Sequence, residues 1–200
     1  MIKILIASKN FHKVREIRDF LKSLSHVEFL TLHQFPNYVP PEETGKTFKE
    51  NAVLKAQHAA QALNIWTLAD DSGIVVPILK NAPGIYSARY AGNQATDKEN
   101  CDKLLQELST YPSSQQRTAY YECCLALASP KELKKSVEGV CGGTIAPLAK
   151  GRNGFGYDPL FIKNDYDKTF AELDDAVKKR VSHRCKAFER LIPFLESLRE

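Results

Sequence analysis

Two adjacent carboxylates, Asp70 and Asp71, follow an apolar run and precede a serine and Gly73. The run is typical of a buried strand, and we expect it to stop in a turn, for which Gly73 can adopt the unusual backbone angles. Neighbouring side chains of a strand point to opposite faces, so either the turn begins between the aspartates or only one faces a site. Acids at the end of an apolar strand suit Mg²⁺, and an ordinary Asx-rich turn is the alternative.

A second candidate site is the polar loop 8–13, which follows a predicted strand over residues 2–7 and precedes a helix. The free N–H groups and the dipole at the start of a helix attract anions, and Lys13 adds a positive charge. The loop lacks the glycines of a P-loop. The alternative is a helix capped by Asn10, with Lys13 in solvent.

Two further acids, Glu43 and Glu50, lie before or at the start of a helix predicted over residues 51–63. Residues 47–50 match a capping box, which gives Glu50 a structural role at the helix start. Glu43 has no comparable local role. It is therefore the better candidate for a loop carboxylate beside a metal.

The C-terminal half contains two segments suited to binding a ligand. In residues 151–159, three glycines around two aromatics let the backbone approach a ligand closely, and Phe155 offers a stacking face. The alternative is a flexible loop with a buried aromatic. Residues 178–184 place four cations and His183 ahead of a predicted helix, against the usual preference of the helix dipole, so we expect an anion nearby. A solvated run of charge is the alternative.

Composition and length place the chain among ordinary globular proteins. It has 200 residues, is 43% hydrophobic and 26% charged, and carries a mild net charge of +4. That charge is only weak evidence for a nucleic-acid partner, and we expect none. Its five cysteines include no C-x-x-C pair, so we expect reduced thiols and a cytoplasmic protein. We find no targeting segment and no apolar run long enough for a bilayer, and we expect no membrane partner.

The order of the predicted elements indicates the fold class. Strands and helices alternate in the first half, and two long strands follow over residues 117–128 and 136–145. This order predicts an α/β fold with a mixed, twisted sheet that splits into two lobes, helices packed on it and a central cleft. We treat residues 1–200 as one domain with two lobes.

Six motifs in order cover nearly the whole chain: ASKN at 7–10 with Lys13 and Glu16, EETG with TFKENA over 42–52, ADDSG at 69–73, PGIYSARY at 83–90, GFGYDP at 154–159, and SHR at 182–184 with Ala187. Together they resemble the Ham1-like inosine triphosphate pyrophosphatase family. This resemblance implies an elongated two-lobed α/β fold with a nucleotide-binding cleft, usually in a homodimer. It also implies Mg²⁺-dependent hydrolysis of ITP, dITP and XTP to the monophosphate and pyrophosphate.

The resemblance assigns roles position by position. It implies that Asp71 is the catalytic residue and that Glu43 and Asp71 hold the metal. Residues 8–13, Ser72 and Lys178 would hold the phosphates, and residues 155–158 with 183–184 would hold the base and the triphosphate tail. The implied substrate-binding residues are Ser8, Lys9, Asn10, Phe11, His12, Lys13, Ser72, Phe155, Gly156, Tyr157, Asp158, Lys178, His183 and Arg184.

Choice of the base should depend on its 6-keto oxygen. Donors aimed at that oxygen are left unpaired when adenine enters, which can reject adenine by on the order of 10⁴-fold. We hypothesise that His183, Arg184 and nearby backbone N–H groups are these donors. The chain departs from the common family pattern at Lys9, Pro77 and Val177, which bears on the order of preferred substrates and leaves the reaction class intact.

Two rival functions use some of the same residues. Haloacid-dehalogenase-type phosphatases also carry two aspartates after a strand, but at D-x-D spacing, whereas Asp70 and Asp71 are adjacent. A non-catalytic nucleotide- or RNA-binding module would use the aromatic and basic residues and would have no need of the acids.

Overall fold

The computed structural model describes residues 1–198 and contains one six-stranded sheet with helices. The strands are β1 (Ile2–Ile6), β2 (Val27–Thr31), β3 (Trp66–Val75), β4 (Thr118–Ala128), β5 (Leu133–Ile145) and β6 (Phe161–Lys163). The helices are α1 (Phe11–Phe20), α2 (Phe48–Leu63), α3 (Asp97–Glu107), α4 (Asp175–Val181) and α5 (His183–Ser197). The strand order is β2-β1-β3-β4-β5-β6. Strand β1 is parallel to both of its neighbours, β2 and β3, whereas β5 is antiparallel to β6. The predicted mixed α/β fold is confirmed.

Side-chain caps fix where the helices begin. Asn10 accepts a hydrogen bond from the Lys13 N–H at the start of α1, which is the cap that the alternative interpretation of this loop proposed. Thr47 accepts one from the Glu50 N–H at the start of α2. The capping box predicted at α2 is incomplete, because the Glu50 carboxylate accepts the Lys46 N–H, at 2.6 Å, instead of the Thr47 N–H.

Strand β3 does not contain the predicted turn. It runs extended through Asp70, Asp71 and Gly73 to Val75, so the two aspartates point to opposite faces. Gly73 is needed for close packing and not for unusual backbone angles. A Cβ atom there would lie 2.3 Å from the Ser87 Oγ atom and 2.7 Å from the Gly84 carbonyl oxygen.

The chain forms two compact units. The first comprises residues 1–71, 123–139 and the segment from 184 onward, and its buried core includes Ile4, Ile17, Leu68, Leu125 and Phe188. The second comprises residues 72–122 and 140–183, and its buried core includes Ile74, Leu104, Tyr121, Phe161 and Phe170. Strands β3, β4 and β5 contribute residues to both units. Within residues 1–198, no helix has the length and apolar character that crossing a membrane requires.

Two segments differ from the sequence prediction. The apolar residues of 74–79 predict a further strand, but in the structure β3 ends at Val75. Pro77, which has no N–H to donate, opens a 3-10 turn (Pro77–Leu79). The sequence also gave no sign of α4. Its last turn contains Lys178, Lys179 and Arg180, where the helix dipole favours positive charge, so the predicted conflict with the dipole was wrong for these residues.

We expect Gly73→Ala to lower the free energy of unfolding by about 1–3 kcal/mol, because the added methyl group collides with Ser87 and with the backbone of Gly84. Urea denaturation measures the change. Gly142→Ala is the control, since a Cβ there first meets the movable amide of Asn164, at 3.0 Å. Equal losses in both variants would contradict the packing role of Gly73.

Candidate active site

Asp70 lies buried in the first unit among positively charged groups. Its Oδ1 is 2.6 Å from the Lys13 Nζ, and its Oδ2 accepts hydrogen bonds from the Arg184 Nε, at 3.0 Å, and the Cys123 thiol, at 3.1 Å. Burial alone raises the pKa of a carboxyl group, but Arg184 and Lys13 outweigh it and hold the pKa of Asp70 well below its usual range. Asp70 is therefore ionised wherever the protein is folded near neutral pH.

The Arg184 side chain is also buried, in the first turn of α5. Its guanidinium contacts Asp70 and also donates a hydrogen bond to the carboxylate of Glu16, on α1. Burial lowers the pKa of an arginine, yet Asp70 and Glu16 outweigh this effect and raise the pKa of Arg184. Arg184 thus links α1, β3 and α5 through two acids.

Asp71 contacts a different set of residues, as the alternation along β3 requires. Its Oδ1 lies 2.8 Å from the Lys55 Nζ, and its Oδ2 accepts a hydrogen bond from the Asn51 side-chain amide, at 3.3 Å. Lys55 also donates to the Glu43 Oε1, at 2.8 Å. Burial raises the pKa of Asp71 although Lys55 and Lys13 oppose the shift. One of the two adjacent aspartates therefore binds protons more readily than usual and the other less readily.

The carboxylates of Glu43 and Asp71 fit the needs of a magnesium ion. Both already converge on one cation, the Lys55 ammonium, at equal distances of 2.8 Å. Mg²⁺ is commonly held by one or two carboxylates and takes its other ligands from water and substrate phosphates. In residues 1–198 no group of three or more His, Cys, Asp or Glu side chains forms a metal cluster.

The predicted phosphate loop lies at the N-terminus of α1. The Ser8 Oγ accepts the Asn10 N–H, at 3.2 Å, and Asn10 caps the helix, while Lys9, Phe11 and His12 are exposed. This ten-residue helix directs its first N–H groups toward the loop, as an anion site requires.

In the second unit, Asp158 organises the glycine-rich segment. Its Oδ2 accepts hydrogen bonds from the Lys178 ammonium, at 2.6 Å, and from the Phe155 N–H, at 2.9 Å. The Lys178 ammonium also lies 4.9 Å from the centre of the Phe155 ring. Gly156 donates its N–H to Asp97, at 2.7 Å. These contacts, from Lys178 and the Phe155 N–H to Asp158 and from the Gly156 N–H to Asp97, define the conformation of the segment.

The remaining predicted residues of the second unit differ in exposure. Tyr157 is buried and donates its hydroxyl to the Ser87 carbonyl, at 2.9 Å. The ring of His183 is buried and stacks on Tyr121 with 4.7 Å between ring centres. Ser72 follows Asp71 on β3 and is half-buried.

Sequence reasoning missed Lys55, Asn51 and the pairing of Glu16. Asn51 and Lys55 are four residues apart, so they share one face of α2. The sequence of that helix is rich in alanine, which favours close packing, and its alanines at 52, 56, 59 and 60 are buried. Asn51 and Lys55 lie on the same face of the helix as the buried alanines. Polar residues are uncommon on a buried face unless they have a partner, so this pattern could have indicated their role.

The fold and these motifs place the protein in a known class. The model of the Ham1 family matches residues 4–194, and the chain belongs to this family. It is 60% identical over its full length to a dITP/XTP pyrophosphatase of Protochlamydia amoebophila, covering 100% of that protein, and 47% identical to one of Chlamydia abortus, covering 97% of it. A solved HAM1 protein from Coxiella burnetii superposes with a TM-score of 0.90 at 40% identity, over 99% of this chain and 100% of that one.

We expect Asp70→Asn to lower the free energy of unfolding by about 3 kcal/mol, since it removes one charge from a buried ion pair and leaves the Arg184 guanidinium undercompensated. Urea denaturation at neutral pH measures the loss. Glu132→Gln is the control, because Glu132 pairs with Lys134 at an exposed position. A loss as small as that of the control would show that Glu16 alone satisfies Arg184.

Proposed function

We propose that this protein hydrolyses ITP, dITP and XTP to the nucleoside monophosphate and pyrophosphate, and so removes these non-standard purine nucleotides from the nucleotide pool. The observation that carries the proposal is the convergence of Glu43 and Asp71 on one cation in a largely buried setting. The names of the full-length relatives support the same reaction.

In the proposed reaction a water oxygen attacks the α-phosphorus in line, and the bond from that phosphorus to the oxygen bridging to the β-phosphate breaks. Pyrophosphate leaves with the electron pair. Mg²⁺ held by Glu43 and Asp71 would neutralise phosphate charge and increase the acidity of the attacking water. Asp71 is the group we assign to accept the proton.

We assign the phosphate charge to a set of polar and positively charged residues. We assign the Ser8–Lys13 segment, Ser72 and Lys178 to the phosphates, as the family resemblance implies, and we add Lys55 because its ammonium touches both proposed metal ligands. Lys13 is half-buried beside Asp70, so its ammonium is oriented before any substrate arrives. Such fixed charges stabilise a transition state without further reorganisation.

We assign the purine to Phe155, Gly156, Tyr157, Asp158 and residues 183–184. The guanidinium of Arg184 is engaged by two carboxylates. For this reason we favour His183 and the first backbone N–H groups of α5 as donors to the 6-keto oxygen. Phe155 supplies the stacking surface.

The organisation of the protein is part of the same proposal. We treat the chain as one catalytic domain, because three strands contribute residues to both compact units. We propose a homodimer, which the family resemblance implies. We also propose a cytoplasmic location, since all five cysteines are free thiols.

Product analysis tests the reaction. With Mg²⁺ present, we expect pyrophosphate and monophosphate from ITP, dITP and XTP, little turnover of GTP or ATP, and no turnover once Mg²⁺ is chelated. Asp71→Asn should lower kcat by about 10²- to 10⁴-fold, because it removes the proposed base and metal ligand. Asp102→Asn, an exposed partner of Lys98 on α3, is the matched control. Release of orthophosphate, or full activity of Asp71→Asn, would overturn the proposal.

Lys13→Ala tests the phosphate loop. We expect the KM for ITP to rise by about tenfold or more, because a charge-assisted contact of about 1.5–3 kcal/mol is lost. Steady-state kinetics with ITP gives KM and kcat, and the melting temperature reports any effect of leaving Asp70 with one fewer cation. Lys22→Ala, just beyond α1 and paired with Asp19, is the control. An unchanged KM would refute the assignment of residues 8–13 to the phosphates.

A further inference from the structure

The side-chain amide of Asn51 connects one proposed metal ligand, Asp71, to the loop that carries the other, Glu43. The amide NH₂ donates to the Asp71 Oδ2, at 3.3 Å, and the amide oxygen accepts the Gly45 N–H, at 2.8 Å. Gly45 lies two residues after Glu43 in the same loop. One side chain thus links β3 to the loop that carries Glu43.

The orientation of the amide is determined by its neighbours. A backbone N–H can only donate, so the amide oxygen of Asn51 must face Gly45. The NH₂ group then faces Asp71, whose ionised carboxylate can only accept. Asn51 is fully buried, so neither bond exchanges readily with water.

The backbone of Gly45 also sits close against the start of α2. A Cβ atom on Gly45 would lie 2.6 Å from the Asn51 Oδ1 and 2.7 Å from the Glu50 Cβ. A side chain at position 45 would therefore push the loop off the helix. Contacts between Gly45 and Asn51 therefore hold the loop that carries Glu43 against the start of α2.

We propose that Asn51 is a positioning residue for the metal site, which holds the Asp71 carboxylate and the Glu43 loop at the separation that one divalent cation needs. This inference rests on the roles proposed above for Glu43 and Asp71. It adds a residue whose hydrogen bonds orient two ligands and which does not itself touch the metal. Loss of such outer partners typically costs about 10- to 100-fold in metal affinity or activity.

The chain contains a natural control in Asn100. It occupies the same position of α3 that Asn51 occupies of α2, four residues after a threonine N-cap, and it is also buried. Its amide oxygen accepts the Ala91 N–H, at 2.8 Å, and its NH₂ donates to the Ala88 carbonyl, at 3.3 Å. In both residues the amide oxygen accepts a backbone N–H. The NH₂ group of Asn100 donates to a backbone carbonyl, whereas the NH₂ group of Asn51 donates to a carboxylate.

Two variants separate the two bonds of Asn51. Asn51→Ala removes both of them. Asn51→Asp is nearly isosteric, keeps an acceptor for Gly45 and places an oxygen where the donor to Asp71 was. Each is compared with wild type, Asn100→Ala and Asp71→Asn by Mg²⁺ calorimetry without nucleotide, hydrogen exchange at the Gly45 amide, ITP kinetics and melting temperature.

We expect Asn51→Ala to weaken Mg²⁺ binding by about 10- to 100-fold and to speed exchange at Gly45. Asn51→Asp should keep slow exchange at Gly45 and lower kcat, with the KM for ITP changed less than kcat. Asn100→Ala should lose stability while its Mg²⁺ affinity stays at the wild-type value.

Three results would overturn the inference. The first is wild-type Mg²⁺ affinity and kcat in Asn51→Ala, and the second is fast exchange at Gly45 in folded Asn51→Asp. The third is an equal loss of Mg²⁺ affinity in Asn100→Ala, which would show a general effect of stability. Full turnover by Asp71→Asn would instead refute the proposed function itself, so the two failures are distinguishable.

Discussion

The buried contact of Arg184 with Asp70 and Glu16 is the constraint on which the first unit depends. A buried guanidinium is costly unless its charge is compensated, and here two acids from separate elements compensate it. If either acid moved away, the buried guanidinium would lose part of the charge compensation that makes its burial tolerable. The start of α5 and the middle of β3 are therefore fixed relative to α1, whose N-terminus carries the proposed phosphate loop.

The same strand gives its two aspartates opposite properties. Asp70 faces Arg184 and Lys13, and its pKa is held low, whereas Asp71 has its pKa raised by burial. Strand alternation alone predicted that the two side chains would diverge. It could not predict which side held the arginine, because Arg184 is 114 residues away in sequence. The predicted turn failed because glycine can signal either a turn or a close contact, and only the position of Ser87 distinguishes them.

Features that depend on residues close together in the sequence could be predicted from the sequence. The caps of α1 and α3 and the first strand follow from neighbouring residues, and the structure has them. The grouping of Glu43, Lys55 and Asp71 is not local, since it joins a loop, a helix and a strand. The sequence did not indicate α4, although its cluster of cations predicted a nearby anion, with a solvated run of charge as the alternative. In the structure Lys178 is buried because Asp158 compensates its charge.

The Cys123 thiol beside Asp70 has a consequence for the chemistry open to this protein. Burial and the adjacent carboxylate raise its pKa well above the usual value, although Arg184 and Lys13 oppose the shift. The sulfur therefore stays protonated and serves as a hydrogen-bond donor. Alkylating reagents and peroxides attack thiolates, so the raised pKa slows the reaction of Cys123 with them, although the residue lies in the charged network around Asp70.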